Sequence, residues 1–121
     1  MATITQTLEG TKPLVQYRTD AGVAVITMDD PPANTYTYEM MQQFDSAILS
    51  ARMDESVHVL VLRGAGSKAF IGGANIPEMA ALTRETARDF ITLVHRTCDC
   101  LRRLPVPVIA VIDGYALGAG L

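Results

Sequence analysis

Apolar and polar positions change period several times along the chain. Residues 14–18 alternate, and 23–28 run mostly apolar. Asp20-Ala21-Gly22 separates the two segments, which predicts two strands joined as a hairpin. Asp29-Asp30-Pro31-Pro32 stops the second strand, because proline cannot donate to a ladder. From 38 to 52 the period becomes helical, with Met40, Met41, Phe44, Ala47, Ile48 and Ala51 on one face. Residues 57–62 form a short β-branched run that fits a strand buried on both faces. Gly64, Gly66, Gly72 and Gly73 then mark an irregular stretch. A second amphipathic helix is predicted over about 84–103, with Phe90, Val94, Cys98 and Leu101 along its stripe and Thr83 as N-cap. Pro105-Val106-Pro107 ends it, and 108–112 reads as another buried strand closed by Asp113-Gly114. The order β, β, α, β, α, β predicts an α/β layer architecture.

Composition narrows the classes. A chain of 121 residues holds one ordinary domain, and a hydrophobic content of 49% excludes intrinsic disorder. Thirteen acidic against ten basic residues leave a net charge of −3, which argues against nucleic-acid binding. Two cysteines are too few for a disulfide scaffold. The most apolar stretch, 105–121, is broken by Pro107, Asp113, Gly114, Gly118 and Gly120, so no membrane span is expected. The N-terminus lacks the basic flank and apolar core of a secretory signal, and the expectation is a soluble, cytoplasmic protein. Residues 1–11 are Thr-rich and expected to be loose, leaving 12–121 as the folded part. Gly118-Ala119-Gly120-Leu121 falls where a further helix should begin, so the chain reads as the front part of a longer one.

Glycines follow two predicted strands. Such glycines let a backbone approach a ligand closely, although ordinary turns use them too. A dinucleotide fingerprint fails at Ala69, which stands where the third glycine is needed, and no Gly-Lys-Ser/Thr supports a phosphate loop. Two longer segments are more specific. Lys68-Ala69-Phe70-Ile71-Gly72-Gly73-Ala74-Asn75-Ile76 is the first. The second is Pro105-Val106-Pro107-Val108-Ile109-Ala110-Val111-Ile112-Asp113-Gly114-Tyr115-Ala116-Leu117-Gly118-Ala119-Gly120. In that order and spacing they resemble the enoyl-CoA hydratase/isomerase (crotonase) superfamily. Gly22–Met28 and Pro31-Pro32-Ala33-Asn34 resemble its first strand and the turn after it.

The resemblance implies a crotonase-like spiral of β-β-α units, incomplete at its C-terminus. It implies an acyl-CoA substrate and no cofactor or metal beyond that thioester. It places an oxyanion hole at the backbone N–H groups of Ala74 and Ala119, each where a glycine-flanked turn should feed a helix N-terminus. Gly72, Gly73, Gly118 and Gly120 would let the backbone close on the thioester, with Asn75 and Ile76 beside them. Pro32 and Ala33 would touch the CoA moiety. Family members are trimers or paired trimers.

The chain departs from the pattern at three points: Asn75 for Asp, Asp113 for Asn and Ala119 for the middle Gly of a triple. Asn still caps a helix, and Ala119 keeps its N–H. The two glutamates that handle water in the family's hydratases would fall at position 122 and further on, beyond Leu121. Glu78 lies near the first oxyanion segment but reads as a solvated first-turn acid. Cys98 and Cys100 point to different helix faces, and His58 and His95 lack partners at motif spacing. Met40, Met41 and Met79 read as core fillers, and the arginines of the second helix as a solvated face. Tyr36 and Tyr38 fit either an acyl pocket or packing at the helix entry. Two functions therefore stand: hydration or isomerisation of an enoyl-CoA, or a non-catalytic remnant or partner subunit that retains part of the CoA-binding fold.

Overall fold

The computed structural model describes residues 13–121; the segment expected to be loose, 1–11, lies outside them. The hairpin forms as expected. Strands β1 (Val15–Asp20) and β2 (Val23–Met28) pair antiparallel through a two-residue turn. Ala21 and Gly22 both have positive φ, 52° and 84°, the hand that matches strand twist in such tight turns. Helix α1 (Tyr38–Met53) follows, started by Thr37, whose hydroxyl accepts from the Met40 N–H at 3.1 Å. Its buried face carries the expected apolar residues and also Gln43. The Gln43 side-chain oxygen accepts from the N–H groups of Leu14 and Val15 at 2.8 and 3.0 Å, tying the start of β1 to the helix.

Strand β3 (Val59–Gly64) lies parallel to β2, completing a βαβ crossover. Val57 is buried but precedes the strand, and Val59 and Val61 are only half-buried, so β3 is fully covered on one face rather than two. The stretch expected to be irregular contains a strand, β4 (Ala69–Gly72), and then helix α2 (Ile76–Ala80). Helix α3 (Arg84–Arg102) begins with a reciprocal pair of bonds between Thr83 and Thr86. It buries Phe90, Leu93, Val94 and Thr97. Cys98 and Leu101, expected on the stripe, are half-buried at its margin. Met79 is exposed rather than core, because α2 buries none of its residues.

Strands β5 (Val108–Val111) and β6 (Tyr115–Leu117) close the described chain, followed by one 3-10 turn at Gly118–Gly120. The first sheet has the order β1-β2-β3-β5, and β4 and β6 pair parallel in a second, smaller sheet. Each of β3 and β5 thus hands the chain to a strand of the other sheet, the repeating β-β step of a spiral. At the second hand-over Gly114 has φ 99°, and a Cβ there would strike the Lys68 carbonyl. The expectation of a buried strand at 108–112 is corrected: every residue of β5 is exposed. β5 is the edge of its sheet, and no element among the described residues covers it.

Candidate active site

β4 and β6 run side by side and release the chain at the same end, since Gly72 lies opposite Leu117. Gly73-Ala74 and Gly118-Ala119 therefore emerge together. A Cβ on Gly118 would sit 3.5 Å from the Gly73 Cα, so the two turns are close neighbours. Both glycines have positive φ, 96° and 59°, which points the residues that follow away from the strand direction.

The outer edge of β4 meets the turn after β2. The Tyr36 N–H donates to the Gly73 carbonyl and the Asn75 N–H to the Tyr36 carbonyl, both at 2.9 Å. This parallel bridge uses the groups on either side of Ala74, so the Ala74 N–H points the other way, toward β6. Among the described residues no hydrogen bond fills it. The Ala119 N–H, exposed on the 3-10 turn, donates to the Tyr36 hydroxyl at 3.3 Å.

The expected residues thus divide into three groups. Gly72, Gly73, Ala74, Gly118, Ala119 and Gly120 gather where β4 and β6 end. Gly120 is buried there, and a Cβ on it would come within 2.7 Å of the Ile71 Cβ. Asn75 caps α2, its Oδ1 accepting from the Glu78 N–H at 3.0 Å, while Ile76 is exposed. Ala33 lies against β4, where a Cβ on Gly72 would approach its carbonyl to 2.5 Å, while Pro32 is exposed. The next residue, Asn34, is fully buried at φ 51°. It accepts from the Asp30 N–H and donates to the carbonyls of Ala65 and Ala69 at 2.9–3.1 Å, welding that turn to the start of β4.

Two corrections concern chemistry. The Ala74 N–H precedes a helix of only five residues, which adds little macrodipole, so that donor itself carries the electrostatics. Glu78 is half-buried rather than solvated: its carboxylate accepts from the Tyr38 N–H at 3.0 Å, satisfying an orphan donor at the start of α1.

Tyr36 is the residue that sequence reasoning placed least well. It is buried, its ring stacks on Phe90 at 6.1 Å, and its hydroxyl reaches a residue 83 positions away. No local pattern signals a contact of that span. On the far side of the Tyr36 hydroxyl an open groove of about 1050 Å³ runs between α3 and the 3-10 turn, lined by Tyr36, Ile91, Val94, His95, Cys98 and Ala119 among others. Among the described residues, no three His, Cys, Asp or Glu side chains are grouped to hold a metal ion, and no helix is long and apolar enough to cross a membrane.

A sheet that spirals through β-β-α steps and brings two glycine turns against each other defines an α/β protein with paired backbone donors. The family model for enoyl-CoA hydratase/isomerase matches residues 18–121, and the chain belongs to that family. It is 36% identical over 99 residues to a short-chain-enoyl-CoA hydratase of Clostridium acetobutylicum, covering 81% of this chain and 38% of that protein. Among solved structures it resembles an enoyl-CoA hydratase/carnithine racemase from Magnetospirillum magneticum, with a TM-score of 0.84 and 33% identity. That match covers 91% of this chain and 42% of the other. An enoyl-CoA hydratase structure from Geobacillus kaustophilus shares the fold at a TM-score of 0.89 and 24% identity, over 98% of this chain and 44% of the other. The chain therefore spans about two-fifths of the length of the relatives it matches.

Proposed function

We propose that the protein binds an acyl-CoA thioester and hydrates or isomerises an enoyl-CoA, with the N–H groups of Ala74 and Ala119 holding the thioester oxygen. The observation that carries this reading is the closeness of the Gly73 and Gly118 turns, with the Ala74 N–H following one and the Ala119 N–H following the other. When a nucleophile adds at the β-carbon of an enoyl thioester, negative charge moves onto the carbonyl oxygen. Two fixed donors aimed at that oxygen stabilise the enolate more than the neutral substrate, which lowers the barrier. The family pattern assigns proton transfer to carboxylates at position 122 and beyond. By the same resemblance the assembly is a homo-trimer or hexamer, the compartment the cytoplasm and the setting fatty acid metabolism.

The test is turnover of crotonyl-CoA by a chain that carries the carboxylates assigned to position 122 and beyond, and by its Ala119→Pro variant, which keeps a small side chain but deletes the donor. Loss of one oxyanion donor costs roughly 10²–10³ in rate, and circular dichroism checks that the variant is folded. Absence of both turnover and CoA-thioester binding in the unmodified protein overturns the reading and favours a non-catalytic subunit.

A further inference from the structure

The Ala119 N–H donates to the hydroxyl of Tyr36, 3.3 Å away and also 3.3 Å from where a Cβ on Gly118 would stand. The ring behind it is buried and stacked on Phe90, and the Tyr36 backbone is bonded to β4 through Gly73 and Asn75. The hydroxyl is therefore held over the donor by the fold rather than resting there by chance. At 3.3 Å the bond is longer than the usual 2.9–3.0 Å for an N–H donor to oxygen, so it satisfies the N–H weakly and yields to a better acceptor.

We propose that Tyr36 is an internal competitor for the oxyanion site. Its hydroxyl occupies the Ala119 N–H in the free protein, and the carbonyl oxygen of an acyl-CoA thioester must take that bond over. The proposal rests on the assignment of Ala119 to the oxyanion hole. It makes Tyr36 a specificity-determining residue. A ligand with a carbonyl oxygen regains the bond it displaces, whereas a thioether of the same length offers no acceptor and leaves the hydroxyl in place. The hydroxyl oxygen lies on the ring axis, so displacement needs a small tilt of the ring on Phe90 or a shift of the Gly118–Gly120 turn, not a change of rotamer.

The experiment compares binding of butyryl-CoA and of S-butyl-CoA, a thioether without the carbonyl, to the protein and to Tyr36→Phe. Phe keeps the ring on Phe90 and removes only the competing oxygen. Amide hydrogen exchange at Ala119 without ligand reads the internal bond directly. The expected result is faster exchange at Ala119 in the variant, butyryl-CoA binding tightened by roughly 2- to 12-fold, the worth of one neutral hydrogen bond, and S-butyl-CoA binding unchanged. Equal changes for both ligands reduce Tyr36 to a packing residue and overturn the proposal. Weaker or unaltered butyryl-CoA binding overturns it as well, weaker binding meaning that the hydroxyl donates to the ligand instead of competing with it. If neither ligand binds either protein, the oxyanion assignment itself fails and the competitor role falls with it.

Discussion

Tyr17 shows what a single buried hydroxyl does in this fold. It lies on β1 with 3% of its surface exposed, and its oxygen has no hydrogen-bond partner among the described residues. An unpaired buried polar atom carries a desolvation cost of about 1–3 kcal/mol. Tyr17→Phe is therefore expected to be neutral or stabilising by about 1 kcal/mol near neutral pH. Burial pushes the Tyr17 phenol above its ordinary value of 10.0, and the negative charge of Asp54 pushes it the same way. Below pH 10 the folded and unfolded chains both keep the proton, so the group adds no pH dependence. Above pH 10 the unfolded chain releases it while the folded chain retains it, so stability is lost as pH rises. Urea unfolding at neutral and at strongly alkaline pH checks this: the gap between Tyr17→Phe and the parent should widen on the alkaline side. Parallel losses in the two proteins would show that Tyr17 titrates alike in both states.

At the scale of elements, α1 and α3 are joined through one carboxylate. Asp45 accepts from the fully buried hydroxyl of Thr97 at 3.2 Å and pairs with the Arg96 guanidinium at 3.1 Å. The two contacts differ in worth. Arg96 is largely exposed, and such ion pairs contribute about 0–1 kcal/mol. Removing the carboxylate strands a buried hydroxyl, at about 1–3 kcal/mol. Asp45→Ala is thus expected to destabilise clearly more than Arg96→Ala, and adding Thr97→Val to Asp45→Ala should recover part of the loss. Equal effects of the two single substitutions in denaturant titrations would place the coupling in the ion pair instead. This junction was not legible in the sequence, because it links positions more than 50 residues apart. The elements it joins were legible, since sixteen- and nineteen-residue helices display their period several times over. β4 and β6 were not: four and three residues, set among glycines, give too short an alternation to read. For the site, the glycines alone fitted ordinary turns as well as a ligand-facing backbone, and only the resemblance of the two longer segments singled out Ala74 and Ala119. The Tyr36 hydroxyl that takes the Ala119 N–H became visible only once β4 and β6 were paired.

At the scale of the whole molecule, the face that positions the site is also the least covered. Ile109 and Val111 on β5, Ile112 after it, and Tyr115 and Leu117 on β6 are each about half exposed. β5 is moreover an edge strand, with backbone donors and acceptors unpaired along its outer side. Their apolar character suggested a buried strand because hydropathy reports what a residue prefers, not what covers it. A strip of exposed apolar residues on an open edge strand favours association over a solvated monomer. The 121-residue chain alone is expected to self-associate with rising concentration. Ile109→Lys, on the edge strand itself, should raise the monomer fraction in sedimentation velocity, since a charge on an edge opposes strand pairing. The same substitution on a buried strand would unfold the chain, so a retained circular dichroism spectrum is part of the expected result. A chain that stays monomeric without the substitution would mean that this strip is tolerated in water, and that the two glycine turns need no covering layer to hold their geometry.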